Sequence, residues 1–246
     1  MSGTLAPARG TCLAGERTKG DETTVPELDD VIRERRSVRG FLRDRVVPRE
    51  ILQAACELAQ RSPSNCNVQP WRVTIASGER RDRLVAALDD VIARREPPAP
   101  EDPIDAFHGE YRRLQFACAA ELYGSMGIAR GDAAARREAM LRNYRLFDAP
   151  HVAIVCMARD FQRGVALDVG MWLQTFMLAL WARGVATCAQ ASLRNFPDVI
   201  RAVLDIPDEL SILCGVSIGY EDPSVAANAT RTTREPLASN VVFLDR

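Results

Sequence analysis

The stretch Arg35-Arg36-Ser37-Val38-Arg39-Gly40-Phe41 sets three guanidinium groups and a hydroxyl side by side at the end of an apolar-periodic segment. Guanidinium forks match the oxygens of a phosphate, so the stretch reads as a local anion site. Ordinary catalytic tools are scarce elsewhere: the 246 residues include one lysine, Lys19, and two histidines, His108 and His151. No G-x-G-x-x-G and no G-x-x-x-x-G-K-[ST] occurs, which sets aside a simple Rossmann dehydrogenase and a P-loop kinase. Two distant histidines and cysteines at non-ligand spacing argue against a metal site. His151 opens an apolar run and reads as a core or edge histidine. Chemistry must then come mostly from a bound cofactor.

Forty-seven per cent hydrophobic residues provide for a real core in one large or two small domains. The net charge of -1, with 32 basic and 33 acidic residues spread along the chain, gives no global field for nucleic acid or an anionic membrane. Seven cysteines, an odd number without a C-x-x-C pair, fit a reducing cytoplasm. Residues 1–26 lack the apolar core of a secretory signal and read as a mobile arm. The longest apolar run, Val165 to Val185, is broken by Asp168, Gln174 and Arg183 and reads as a buried helix rather than a membrane span.

Helical periodicity runs through Leu28–Arg36, Pro48–Gln60 (with Pro48 in the first turn) and Glu79–Arg94. Between the last two lies the turn-rich Ser62-Pro-Ser-Asn-Cys-Asn-Val-Gln-Pro70, then a strand over Trp71–Ala76 in which Trp71 is core. Residues 96–105 read as a surface excursion leading into a helical flap to about residue 130. A charged helix continues to about Phe147, and His151–Ala158 reads as a buried strand. The segment Asp168–Arg183 is apolar almost all round, a helix packed on every side, its outer side by a second subunit. Interior strands follow at Val185–Cys188 and Leu210–Ile218, joined by an amphipathic segment over Phe196–Leu204. A terminal run, Val241-Val-Phe-Leu244, reads as a strand pairing with a partner chain. Helices alternating with strands predict a layered α+β fold.

Four stretches in order, Arg35 to Phe41, Ser62 to Trp71, Gly184-Val-Ala-Thr-Cys-Ala-Gln190 and Arg231-Thr-Thr-Arg-Glu-Pro-Leu237, resemble the signatures of the FMN-dependent nitroreductase family. The third, extended as Thr-Cys-Ala-Gln-Ala-Ser-Leu, resembles the subgroup of nitrobenzoate and other nitroaromatic reductases. The resemblance spans residues 27–246 and implies one FMN-binding domain. It implies a central mainly antiparallel sheet flanked by helices, an intertwined homodimer, a flap at 96–130 and a C-terminal extension, 222–246, lying on the partner.

The resemblance also implies site roles. Arg35 and Ser37 bind the FMN phosphate and ribityl chain, Arg36 offers its backbone, Arg39 approaches the flavin N1/O2 edge, and Arg234 completes the phosphate site. Thr232 stands where relatives often carry lysine, and Arg231 is the candidate to replace that charge. Pro63, Ser64, Asn65 and Asn67 line the flavin of the other subunit, and Asn143 matches a pyrimidine-facing asparagine. Gln190, Ala191 and Ser192 lie at flavin N5, where a backbone N–H near Ala191 donates and no side chain is catalytic. The activity implied is ping-pong hydride transfer from NADH or NADPH to a nitroaromatic compound, through nitroso to hydroxylamine. Phe107, Tyr111, Phe116 and Tyr123 are the flap aromatics placed to stack an acceptor ring. Quinone or flavin reduction, reductive dehalogenation, flavin fragmentation, a non-catalytic flavin-binding protein and a non-flavin phosphate-binding module stay open as alternatives.

Overall fold

The computed structural model describes residues 27–104 and 106–245, so the arm at 1–26 lies outside the described residues. Four strands form one antiparallel sheet: β1 (Arg72–Ser77), β2 (His151–Ala158), β3 (Ala186–Gln190) and β4 (Leu210–Gly219), in the order β1-β2-β4-β3. Period-two alternation along β2 decides the layers. Ala153, Val155 and Met157 face α2 (Arg49–Ala59) and α6 (Arg163–Trp181), sharing a cluster with Leu52, Ala55, Trp172, Phe176 and Leu180. Val152, Ile154 and Cys156 face α3 (Gly78–Ala93) and α7 (Pro197–Leu204), with Leu84, Leu88, Ile200 and Leu204. A sheet covered on both faces explains why β2 reads as an unbroken apolar run. The expected α+β layers are present.

The remaining helices are α1 (Leu28–Glu34), α4 (Gly109–Ser125) and α5 (Ala133–Leu141). Pro48 sits at the cap of α2 rather than in its first turn. Trp71 is core, with its indole N–H bonded to Gln60 Oε1.

Two segments keep apolar surface that their own chain leaves bare. Its own chain packs one side of helix α6: Val169, Trp172, Phe176 and Leu180 are buried, while Leu167 is 69% exposed and Gly170 and Gln174 face outward. Its length and composition would suit a membrane span, but the buried stripe is packed against the sheet. Val241–Leu244 forms no strand within its own chain, and Leu244 is 88% exposed. Both segments are too apolar for the single chain to satisfy.

The six described cysteines are free thiols, and burial pushes Cys156 up to about 12 and Cys214 up to about 11. His151 is buried between layers. Val47 N–H donates to its Nε2 at 2.9 Å, so Nδ1 carries the proton and meets Ser77 Oγ at 2.5 Å. Burial holds the imidazole below its usual value. The unfolded chain therefore takes up a proton below about pH 6.5 that the folded one resists, and this stability is full above that pH and lost as pH falls toward the folded value. His151→Phe is expected to flatten the pH dependence of urea unfolding between about pH 8 and 5; an unchanged slope would refute this.

Candidate cofactor site

Helix α1 ends at Glu34, and Arg35, with φ -56° and ψ 127°, turns the chain extended. The extended stretch docks on the end of β3: Ser37 bridges Thr187 in parallel, and Val38 N–H donates to Thr187 O at 3.1 Å. Val38 is buried with Phe41, Phe147, Ala186 and Cys188. Alternation then sets Arg35, Ser37 and Arg39 on the opposite side from Val38 and Arg36. Arg36 pairs with Glu221 and lies 5.4 Å from the Trp181 ring centre, leaving its backbone for a ligand.

Asn228, which the sequence reading missed, straps the same stretch from the other side. Its Oδ1 accepts Arg39 N–H at 2.7 Å, while its Nδ2 donates to Gly40 O at 2.9 Å and Asp222 O at 2.8 Å. The chains meet closely there: a Cβ on Gly40 would come within 2.5 Å of Val225 Cβ. Asn228→Ala would leave a buried N–H unpaired at a cost of about 1–3 kcal/mol. The expected outcome is a lower melting temperature together with about tenfold weaker flavin binding, measured by fluorescence titration. Loss of stability with unchanged binding would show that Asn228 supports the fold alone.

The electrostatics of the cluster are those of an anion site. Arg35 is held below its usual value first by burial, then by the like charge of Arg234, with Cys188 opposing. Among the described residues Arg35, Arg39, Arg231 and Arg234 form no ion pair within 4.0 Å. Arg39 donates to Ser37 O, Arg231 to Asn228 O and Thr230 O, and Arg234 to Thr232 and Thr233. Two buried hydroxyls, Thr187 Oγ1 beside Ser37 and Thr230 Oγ1 next to Arg231, have no partner among the described residues. Gathered cations without carboxylates and unpartnered hydroxyls fit a phosphate on a polyol chain better than a solvated helix end.

Strand β3 carries the chain from this cluster to residues 190–192. The 3-10 turn Ala191–Asn195 lies flat on β4 because residue 215 is glycine: a Cβ there would meet Leu193 Cδ1 at 2.1 Å and Leu193 Cγ at 3.1 Å. Gln190 is 2% exposed, and its side chain turns inward to Ser217 and Asn143. Asn143 Oδ1 accepts Ser192 Oγ–H at 3.2 Å. A cavity of about 110 Å³ adjoins, lined by Arg39, Asn143, Phe147, Tyr123, Met126 and Met140 among others.

The flap aromatics do not gather. Tyr123 lines that cavity, but Phe107, Tyr111 and Phe116 are 47%, 71% and 58% exposed, with Arg112 over the Phe116 ring. At about 100° per residue Tyr111 and Phe116 lie on different faces of α4, and no residue of α4 is fully buried within its own chain.

The polar loop after α2 also stands apart. Its hydrogen bonds run to α6, to Arg72 and within itself: Asn65 N–H donates to the buried Asp168 Oδ2 at 3.0 Å, and Ser62 Oγ to Thr175 Oγ1 at 3.0 Å. Cys66, Asn67 and Gln69 have φ of 49°, 57° and 50°. Non-glycine residues in that region cost energy that the surroundings must offset. Pro63, Asn65 and Asn67 are exposed and Ser64 half-buried, so the loop is shaped and turned outward.

Comparison with known proteins agrees with this geometry. The profile described as "Nitroreductase family" matches residues 32–220. A 4-nitrobenzoate reductase of Nocardioides sp. (strain LMS-CY) is 37% identical over 226 residues, 89% of this chain and 91% of the relative. The solved structure of FMN-dependent nitroreductase NfnB from Mycobacterium smegmatis, in complex with NADPH, superposes with a TM-score of 0.84 at 35% identity, covering 88% of this chain and 97% of that one. FMN and NADPH-dependent NfnB from sphigopyxis sp. strain HMH gives 0.86 at 33%, covering 90% and 100%. With a profile match over most of its length and relatives this close, the chain belongs to the nitroreductase family.

Proposed function

We propose that this protein is an FMN-dependent NAD(P)H oxidoreductase that reduces nitroaromatic compounds, working as a cytoplasmic homodimer. The observation that carries the reading is the carboxylate-free cluster of Arg35, Arg39, Arg231 and Arg234, joined by β3 to the turn at 190–192. Bound FMN supplies two-electron hydride chemistry between a reduced nicotinamide and an electron-poor acceptor. Arg35 and Arg234 neutralise the phosphate, Ser37 and the unpartnered Thr187 and Thr230 hydroxyls serve the polyol, and Arg39 meets the electron-rich edge of the ring. The backbone at Ala191 and Ser192 is held against β4, where a fixed N–H dipole costs no reorganisation during reaction. No side-chain acid or base is called for, in keeping with a chain whose one core histidine is locked between Val47 and Ser77.

The acceptor class rests on the nitroaromatic activities for which the relatives are named. The dimer rests on apolar surface that a single chain leaves bare: Leu28 and Ile32 on α1, Leu167 on α6, and Val242, Phe243 and Leu244 in the tail. A second copy would cover these and bring Pro63, Ser64, Asn65 and Asn67 to the flavin bound by its partner. The test is an anaerobic visible spectrum of the purified protein. A flavin band should bleach with stoichiometric NADPH or NADH and return on adding 4-nitrobenzoate. A protein that takes up no FMN would overturn the reading.

A further inference from the structure

Three residues in succession, Leu146, Phe147 and Asp148, have φ of 57°, 52° and 69°, a left-handed turn without a glycine. Each such residue costs about 1–3 kcal/mol, so the turn persists only because its surroundings dictate it. They do: Leu146 and Phe147 are buried, Phe147 O accepts Phe41 N–H at 3.0 Å, and Asp148 pairs with Arg142 at 2.9 Å across the turn. Asn143 follows directly on the Arg142 clamp, ahead of the turn. Every polar atom of its carboxamide is used: Nδ2 donates to Met140 O at 2.9 Å, and Oδ1 receives Ser192 Oγ–H at 3.2 Å and Gln190 Nε2 at 3.4 Å. Gln190 Nε2 also donates to Asn143 O at 2.8 Å, and Gln190 Oε1 receives the hydroxyl of Ser217, which is fully buried on β4.

We infer that Gln190 is a positioning residue and not a flavin ligand: its carboxamide, held by Ser217 in the sheet and by Asn143 ahead of the strained turn, fixes the backbone of residues 191–192 against the cofactor. The inference rests on the function proposed above and assigns a role to the left-handed turn. A carboxamide is the right group, because it donates to the Asn143 carbonyl and accepts from Ser217 in one plane. A buried polar chain with every member satisfied is rigid, and leaving it half-satisfied is costly. The bonds that lock the 190–192 backbone involve neither Arg35 nor Arg234, so phosphate binding and ring positioning are separable.

The experiment compares Gln190→Met, which keeps volume and removes both bonds, with Ser217→Ala, a milder deletion that keeps the proposal testable should the first fold poorly. Amide hydrogen exchange at residues 191–195 of the flavin-free proteins is the primary readout, and should rise about tenfold or more in both variants while α2 and α6 stay protected. With FMN, the dissociation constant should stay within about threefold of wild type, while kcat with NADPH and 4-nitrobenzoate falls about tenfold or more at similar KM. The double variant should be hardly worse than Gln190→Met alone, since both changes break one chain. Unchanged exchange at 191–195 would overturn the proposal, as would FMN affinity lost about thirtyfold without local loosening, the mark of a direct ligand. Failure of wild type to bind FMN would sink the functional reading, whereas the exchange measurement on flavin-free protein still decides the positioning role.

Discussion

Replacing Arg35 and Arg234 together by alanine is expected to weaken FMN binding by about 10²- to 10⁴-fold, each single change contributing about 10- to 100-fold. The figure follows from charge-assisted bonds of about 1.5–3 kcal/mol each to the phosphate. What distinguishes this outcome from general damage is the free protein. Arg35 already suffers from burial and from the neighbouring charge of Arg234. Either change relieves that repulsion, so the flavin-free variants should melt at or slightly above the wild-type temperature while binding far less flavin. Arg36→Ala is the control with the opposite pattern. It breaks the pair with Glu221 and uncovers Trp181, lowering stability more than affinity. Fluorescence titrations at two salt concentrations, paired with thermal melts, read all arms. An FMN affinity within about threefold of wild type in the double variant would remove the phosphate site from this cluster.

The layers were legible because their signal is periodic. β2 alternates perfectly between two buried faces, and a continuous apolar run is what such a strand must be. The guanidinium cluster was legible in part, since Arg35, Ser37 and Arg39 are adjacent in sequence and an extended chain sorts them by parity. Arg36 shows the limit, because its assignment to Glu221 needs a contact 185 residues away. Asn228 and Ser217 were invisible for the same reason: a lone asparagine in a small-residue tail and a serine in an apolar strand carry no local mark, and their roles come from who lies opposite. Four aromatics at assorted spacings look like one pocket wall in a list, but Phe107 precedes α4, and at about 100° per residue Tyr111 lies well round the helix from Phe116 and Tyr123. Helix α6 and the tail were legible as too apolar for solvent, and each leaves large apolar side chains bare within its own chain.

Glu101 gives the second large effect, and it arises where the sequence looks least informative. In a run of Pro, Asp and Glu read as surface, this one carboxylate is largely buried: Oε1 receives Arg201 at 2.6 Å and Arg159 at 2.7 Å, and Oε2 receives Ile212 N–H at 3.1 Å. It thereby pins the segment after α3 to α7 and β4, next to Ala99 N–H, which bonds Asn195 O at 2.9 Å at the end of the 191–195 turn. Glu101→Ala leaves the Arg201 guanidinium buried, still bonded to Pro207 O and Leu210 O but without a counter-charge. Breaking a buried pair costs about 3–5 kcal/mol, and those remaining carbonyl bonds reduce the expected loss to about 2–4 kcal/mol. For a domain of this size that is a fall of roughly 5–15 °C in melting temperature. The pH dependence identifies the cause. Burial alone would raise the Glu101 carboxyl, but the hydrogen bonds from Arg201, the Ile212 amide and Arg159 outweigh it and hold the group below its usual value. The stability it contributes is therefore complete above about pH 4.3 and lost as pH falls through the folded value. Wild type and Glu101→Ala should differ most at neutral pH and converge in acid, whereas Glu101→Gln, which keeps the shape without the charge, should sit between them at neutral pH. Urea titrations from about pH 7 to 3.5 would show the convergence. A gap that stays constant across that range would mean that packing by Glu101, and not its ion pairs, anchors this segment to the sheet.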